Sequence, residues 1–130
     1  FVTICTVGKT KLFWKSEQLM DGHPALSEAG MIVERCIQEI PLHYPCVQVL
    51  QYNVMPNHVH IILQIAEGNT ATLSKVVGQM KQAVSRTIGK SIWQKSYHDH
   101  VIRGEQDYLK IWNYVVYNHK KWKEDCFFEK

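Results

Sequence analysis

Hydrophobic and polar positions along this 130-residue chain form seven successive segments with a strand-like or a helix-like period. Short apolar and β-branched runs predict strands over residues 1–7, 46–55, 58–65 and 92–103. Apolar side chains that recur every three or four positions predict helices over residues 24–40, 71–89 and 105–124. The predicted order is therefore β-α-β-β-α-β-α.

The first six predicted elements follow the order of the ferredoxin-like split βαβ arrangement. We therefore expect an α+β fold, in which an antiparallel sheet carries two helices on one face. The seventh element is a C-terminal helix, and the free face of the sheet is the surface for it to cover. The length fits one domain, so we expect a single domain over residues 1–130.

Composition and cysteine spacing exclude several classes of protein. Hydrophobic residues make up 45% of the chain and charged residues 21%, close to the globular average, and no apolar run is long enough to span a membrane. The four cysteines form no CxxC pair, which argues against a zinc knuckle; they are Cys5, Cys36, Cys46 and Cys126. Scattered single cysteines are typical of reduced, buried residues, so we expect a cytoplasmic protein.

Positive charge is concentrated in one part of the chain. The net charge is +3, but the segment from residue 75 to 103 holds six basic residues and one acid, which gives +5 there and −2 elsewhere. Clustered charge of this kind is typical of surfaces that bind phosphate backbones, and it also fits a solvated helix face. The candidate DNA contacts in this segment are Lys75, Arg86, Lys90, Lys95 and Arg103.

Two aromatic residues lie among these bases. Trp93 and Tyr97 alternate with Lys95 in the sequence, and aromatics among bases fit the stacking of nucleobases. Packing in the core is the competing interpretation for Trp93.

The most informative stretch is the sequence PNHVHIIL at residues 56–63. Alternate side chains of a strand share a face, so His58 and His60 lie side by side while Val59 and Ile61 point the other way. Two imidazoles at this spacing can bind one metal ion, although an isolated HxH also fits two half-exposed polar residues. A second HxH, His98 to His100, lies in a mixed polar stretch, where we favour structural, hydrogen-bonding or substrate contacts.

The last predicted helix supplies a further pair of polar side chains. Tyr114 and Asn118 are four residues apart and share a face beside the apolar stripe, at the edge that also holds Lys110 and Lys121. If this helix covers the free face of the sheet, Tyr114 and Asn118 approach the two histidines. Asn118 would then complete a two-histidine, one-amide metal site, and Tyr114 would be a nucleophile toward phosphorus. A free tyrosine has a pKa of about 10, so it is almost entirely protonated at neutral pH. The site would have to offset about 4 kcal/mol for the loss of the phenolic proton.

These motifs resemble a known family of enzymes. The sequence PNHVHIIL is similar to the HUH motif (His, hydrophobic, His) of enzymes that process single-stranded DNA. The block WQKSYHDHVIR and the later DYLKIWNYVVYNHKKW resemble the REP-associated tyrosine transposases, within the larger group of IS200-like transposases. The resemblance extends over nearly the whole chain, and the order and spacing of the three blocks make it specific.

The resemblance implies a role for each matching residue. His58 and His60 fall on the histidines that hold Mg²⁺ or Mn²⁺ in this family, Tyr114 falls on the nucleophilic tyrosine, and Asn118 falls on the third polar ligand. Such enzymes cleave and rejoin single-stranded DNA near hairpins or inverted repeats, through a 5′-phosphotyrosine intermediate. Some relatives are homodimers in which the tyrosine helix serves the partner's histidines, and others are monomers.

Two departures from the family pattern and two other functions stay open at this point. Relatives commonly have Asn-Pro where this chain has Asn118 followed by His119, and Tyr117 lies three residues after Tyr114.

The chain could instead be a non-catalytic nucleic-acid-binding module on the same fold, or a metal hydrolase in which water attacks. Imidazole ligands also suit Zn²⁺, so the identity of the ion follows only from the resemblance.

Overall fold

The computed structural model describes residues 1–16, 24–66 and 71–120. Within these residues, four strands and four α-helices follow one another in the order β1, α1, α2, β2, β3, α3, β4, α4. Their bounds are β1 Val2–Cys5, α1 Glu28–Gln38, α2 Ile40–His43, β2 Val47–Val54, β3 His58–Ile65, α3 Leu73–Ile88, β4 His98–Asp99 and α4 Glu105–Tyr117.

The four strands form one sheet in the order β2-β3-β1-β4, and every neighbouring pair is antiparallel. This order, with the first strand between the third and the fourth, is that of the ferredoxin-like arrangement. The β2–β3 hairpin carries a register shift between Val49 and Gln51. The predicted α+β fold class is therefore confirmed.

The alternation along β3 divides the protein into two apolar clusters. Val59 and Ile61 face the main core, which lies between the sheet and the helices α1 and α3. On the other face, Ile62 packs against Ile111 and Val115 of α4 in a smaller cluster. The C-terminal helix thus covers the face of the sheet that α1 and α3 leave free, as the sequence predicts.

The first predicted helix is shorter than expected and is followed by a second one. It begins after Ser27, whose hydroxyl accepts a hydrogen bond from the N–H of Gly30 and so caps the helix. Pro24 therefore lies outside it. Pro41 does not end the helical region, because it occupies the first turn of α2, where its missing N–H costs nothing.

The fourth predicted strand is also interrupted. Backbone hydrogen bonds join Ile92 and Gln94 to Val7 and Cys5, but regular pairing resumes only at β4. At the end of the first piece, the Lys81 ammonium donates to the carbonyl of Gln94 over 2.7 Å. The carbonyl of Gln94 therefore bonds to a side chain of α3.

The remaining boundaries differ in smaller ways. The first strand ends at Cys5, before a short 3₁₀ turn over Val7–Lys9, and α4 ends at Tyr117. The predicted end of the last helix, Lys121 and Cys126 lie outside the described residues. In the part of the chain that is described, no helix has the length and apolar character of a membrane span.

Candidate active site

Strand register places a row of polar side chains across the sheet beneath α4. In this row His60 of β3 lies opposite Thr3 of β1 and opposite Asn53 of β2, while Thr3 lies opposite His98 of β4. Residues directly opposite one another in antiparallel strands share a face. His58 occupies the same face two residues away, as expected from the period of a strand.

The imidazoles of His58 and His60 converge on each other. Their Nε2 atoms are 3.0 Å apart, and both side chains are buried, with exposures of 0% and 1%. The other nitrogen of each ring is held by an oxygen: Nδ1 of His58 lies 2.7 Å from Oδ1 of Asn57, and Nδ1 of His60 lies 2.9 Å from the Thr3 hydroxyl. Both rings are therefore fixed in orientation by neighbouring side chains.

The contact with Asn57 indicates which ring nitrogen of His58 presents a lone pair. An amide oxygen only accepts hydrogen bonds, so His58 carries its proton on Nδ1 and directs the lone pair of Nε2 toward His60. When the Thr3 hydroxyl accepts from Nδ1 of His60, two lone pairs face each other and favour a cation between them. When the hydroxyl donates instead, Nε2 of His60 carries the proton and donates a hydrogen bond to Nε2 of His58.

The spacing of the two nitrogens suits a metal ion. Nitrogens bound to one ion at about 2.1 Å and at a right angle are about 3.0 Å apart. Oxygen partners on the outer nitrogens are the usual second layer of a histidine metal site. No group of three or more His, Cys, Asp or Glu side chains in residues 1–16, 24–66 and 71–120 is arranged to hold a metal. Among the described residues, the buried amide of Asn118 is the candidate for a further donor beside this pair.

The structure brings Tyr114 against the histidine pair. Its ring centroid is 5.2 Å from that of His60 in an edge-on arrangement, and the ring of Phe1 lies 5.5 Å from His60 and 6.1 Å from Tyr114. Tyr114 keeps 39% of its surface exposed. Asn118, one turn later on the same side, is buried. The candidate nucleophile thus borders both the buried imidazoles and the solvent.

Polar contacts hold α4 to the edge strand β2 and to the segment that follows β4. At the C-terminal end, Nδ2 of Asn53 donates to the carbonyl of Val115 over 2.8 Å and lies 3.2 Å from Nδ1 of His119. At the N-terminal end, the Asp107 carboxylate accepts from the N–H of Arg103 at 3.0 Å and lies 2.9 Å from Nε2 of His100.

The environment of Asp107 changes the acidity of its carboxyl group. The hydrogen bond from the backbone N–H of Arg103, and after it the one from His100, lower the pKa of Asp107 below its usual 3.8. Gly104, the residue immediately before α4, has a φ of +87°, which glycine adopts without strain.

The second HxH lies on the same sheet face as the first, with β1 between them. His100 belongs to the attachment of α4 through Asp107, which agrees with a structural, hydrogen-bonding role. His98 is exposed on the edge strand β4.

The predicted basic residues do not form one surface. Lys75 and Arg86 are exposed on α3, and Lys90 is exposed two residues after the end of that helix. The helix α3 belongs to the layer on the opposite face of the sheet from the histidines. Lys95 and Arg103 are exposed on either side of β4, and Lys110 is exposed on α4, one turn before Tyr114. Trp93 is buried against Phe13, with ring centroids 5.5 Å apart, so its role is in the core.

Three residues of this site were missed by sequence reasoning. Asn57 immediately precedes His58, and this adjacency is a signal that could have found it. Thr3 and Asn53 lie far from the histidines in the sequence, and only the strand register brings them to His60. Their roles therefore depend on pairing that no local pattern encodes.

Comparisons with known proteins agree with this architecture. Residues 27–118 match the family model described as "Transposase IS200 like". A protein of Haemophilus influenzae that has no assigned function is 29% identical, over 96% of this chain and 82% of its own length. A candidate REP-associated tyrosine transposase of the same organism is 25% identical, over 58% of this chain and 51% of its own length.

A solved structure shares the fold. The structure of a REP-associated tyrosine transposase bound to a REP hairpin superposes with a TM-score of 0.69 and 21% identity. It matches 92% of this chain, which spans 65% of that protein's length. The family match covers most of the chain, including the histidine strand and the helix of Tyr114. The protein therefore belongs to the IS200-like transposase family.

Proposed function

We propose that this protein cleaves and rejoins single-stranded DNA, with Tyr114 as the nucleophile and with His58, His60 and Asn118 as metal ligands. The observation that carries the proposal is the Tyr114 ring 5.2 Å from that of His60, within one chain. Membership of a transposase family supports DNA strand transfer as the type of reaction.

The donor atoms available at the site fit a divalent cation. The facing Nε2 atoms of His58 and His60 would supply two ligands. The buried amide of Asn118, on the same side of the helix as Tyr114, would supply a third. Mg²⁺ or Mn²⁺ bound there would act as a Lewis acid toward a phosphate oxygen of the DNA. Asn57 and Thr3 would keep the imidazoles oriented for this task.

The chemical step belongs to Tyr114. Its phenolic oxygen attacks the phosphorus of a phosphodiester, so that a bond from tyrosine oxygen to phosphorus forms and the bond from phosphorus to the 3′ oxygen breaks. The phenol loses one proton and the 3′ oxygen gains one. The products are a 5′-phosphotyrosine and a free 3′-hydroxyl, which can attack the phosphotyrosine to rejoin strands. The covalent link conserves the phosphodiester energy, so the reaction needs no ATP.

Single-stranded DNA next to a hairpin is the proposed substrate. The similar transposase of known structure was solved with a REP hairpin, which supports this substrate class. Lys110 lies near Tyr114 and would contact the cleaved strand, as would Lys121. The lysines and arginine of α3 lie behind the sheet and would contact a more distant part of the DNA.

A labelled hairpin oligonucleotide from the gene's own flanking sequence tests the proposal. With Mg²⁺ or Mn²⁺, the wild-type protein should form a covalent adduct with DNA that survives a denaturing gel. Tyr114→Phe should form no adduct, and His58→Ala and His60→Ala should lose most of the cleavage. Tyr108→Phe is the matched control, since Tyr108 lies on α4 but packs against Trp112 instead of the histidines.

Other outcomes would contradict the proposal in distinct ways. Cleavage without an adduct that persists in Tyr114→Phe would indicate a hydrolase in which water attacks. Salt-sensitive binding without cleavage would indicate a nucleic-acid-binding module. Loss of the adduct in Tyr117→Phe, together with its persistence in Tyr114→Phe, would show that Tyr117 is the nucleophile and Tyr114 is not.

A further inference from the structure

The helix α4 carries exposed aromatic and basic side chains in a stripe that passes through Tyr114. Lys110, Tyr114 and Tyr117 are spaced at i, i+4 and i+7, so they lie along one face of the helix. All three are exposed, and Tyr117 has 51% of its surface accessible. With a rise of about 1.5 Å per residue, Tyr117 lies about 4.5 Å along the axis beyond Tyr114.

Tyr117 adds little to the packing of α4. The buried side of the helix is made by Ile111 and Val115, which pack on Ile62 of the sheet. Tyr117 points away from that side, and the ammonium of Lys120 lies 5.8 Å from the centroid of its ring. A tyrosine that is half exposed and has an ammonium group over its ring offers accessible aromatic surface and positive charge together.

We infer that Tyr117 is a stacking platform for the nucleobase beside the scissile phosphate, with Lys110 and Lys120 contacting phosphates of the same strand. This inference rests on the proposed function of Tyr114, because it concerns the strand that reaches that residue. Proteins that bind single strands combine aromatic side chains, on which bases stack, with cations along the backbone. The charge of the two lysines selects a polyanion as the occupant of this face.

A non-cleaving background allows stacking to be measured separately from chemistry. The probe is an oligothymidylate that carries one 2-aminopurine, whose fluorescence falls when it stacks on an aromatic ring. In the Tyr114→Phe protein, we expect binding to quench this fluorescence. Adding Tyr117→Ala should abolish the quenching and weaken binding by roughly 5- to 100-fold, the range for the loss of one stacked base.

Matched variants separate stacking from general effects on the helix. Tyr117→Phe retains the ring and should restore both quenching and affinity, whereas Tyr117→Leu retains apolar bulk and should not. Leu109→Ala removes another half-exposed side chain of α4, 50% accessible and away from the stripe, and should leave both readouts unchanged. Lys120→Gln should lower the slope of log affinity against log salt by about 0.7.

Cleavage kinetics provide a second readout and keep the two proposals distinct. In the protein with Tyr114 intact, Tyr117→Ala should raise KM while kcat stays near the wild-type value. Equal affinity and quenching in Tyr117→Ala and Tyr117→Phe would overturn the stacking role even if the protein cleaves DNA. Failure of the wild-type protein to form a covalent adduct would instead overturn the role of Tyr114.

Discussion

Asn53 donates a hydrogen bond from its side-chain amide to the main-chain carbonyl of Val115 over 2.8 Å. The donor lies on β2 directly opposite His60, and the acceptor follows Tyr114 in α4. One hydrogen bond thus links the strand beside the histidines to the helix that carries the tyrosine.

Asn53→Ala should therefore reduce cleavage more than it reduces stability. Loss of one hydrogen bond costs about 1 kcal/mol in the free energy of unfolding, whereas a displaced Tyr114 should lower kcat by about tenfold or more. Steady-state kinetics and urea unfolding would measure the two effects. Gln48→Ala, at an exposed position of the same strand, is the control. A variant with unchanged kcat would show that the Asn53 contact does not position the tyrosine.

Removal of the oxygens behind the imidazoles should weaken metal binding. Asn57→Ala and Thr3→Val each leave one Nδ1 atom without its partner, and such changes typically cost 10- to 100-fold in metal affinity. Titration calorimetry with Mn²⁺ would measure the loss.

Two further variants control for the change at Thr3. Thr3→Ser keeps the hydroxyl and should retain the affinity for Mn²⁺. Thr10→Val removes a hydroxyl whose partner is the carbonyl of Val7 and should have no effect on metal binding. Equal affinities of the Thr3→Val and Thr3→Ser proteins would exclude an orienting role for the hydroxyl.

The attachment at the start of α4 should depend on pH through Asp107. The pKa of this carboxyl group is lowered in the folded protein, so its contribution to stability is fully present above the unfolded value near 3.8. The contribution is lost as the pH falls through the lower folded pKa. The difference in free energy of unfolding between wild type and Asp107→Asn should therefore shrink below pH 3.8. A difference that does not change with pH would contradict this linkage.

Two glycines in helices should respond in opposite ways to the same substitution. A Cβ on Gly30 would collide with the backbone carbonyl of Phe13, so Gly30→Ala should lower the free energy of unfolding by about 2 kcal/mol or more. A Cβ on Gly78 of α3 would meet no atom within contact distance, so Gly78→Ala should raise it by up to about 1 kcal/mol. Urea unfolding of both variants would test this contrast, and a stabilised Gly30→Ala protein would contradict it.

Local patterns were sufficient to predict the elements that carry the candidate site. The alternation of Val59 and Ile61 with the histidines assigned each face of β3, and the left-over amphipathic helix predicted the cover over the histidine face. Both inferences rest on periods of two and 3.6 residues, which are read directly from a sequence.

Long-range contacts account for what could not be predicted. The interruption before β4 involves Lys81 of α3, which bonds to a carbonyl thirteen residues later in the chain. The oxygen of Thr3 reaches His60 only through the β1–β3 register. The basic residues of α3 looked continuous with those near β4 in the sequence, but the sheet separates the α3 layer from the histidine face.

The two apolar clusters of the described chain are very different in size. The cluster beneath α1 and α3 contains most of the buried apolar side chains, whereas the buried members of the one beneath α4 are Ile62, Ile111 and Val115. Local opening follows the number of buried contacts, so amide protons of α4 should exchange with solvent before those of β3. The scaffold that fixes the imidazoles can then stay folded while α4 opens locally, and such opening would expose the side of His58 and His60 that α4 covers.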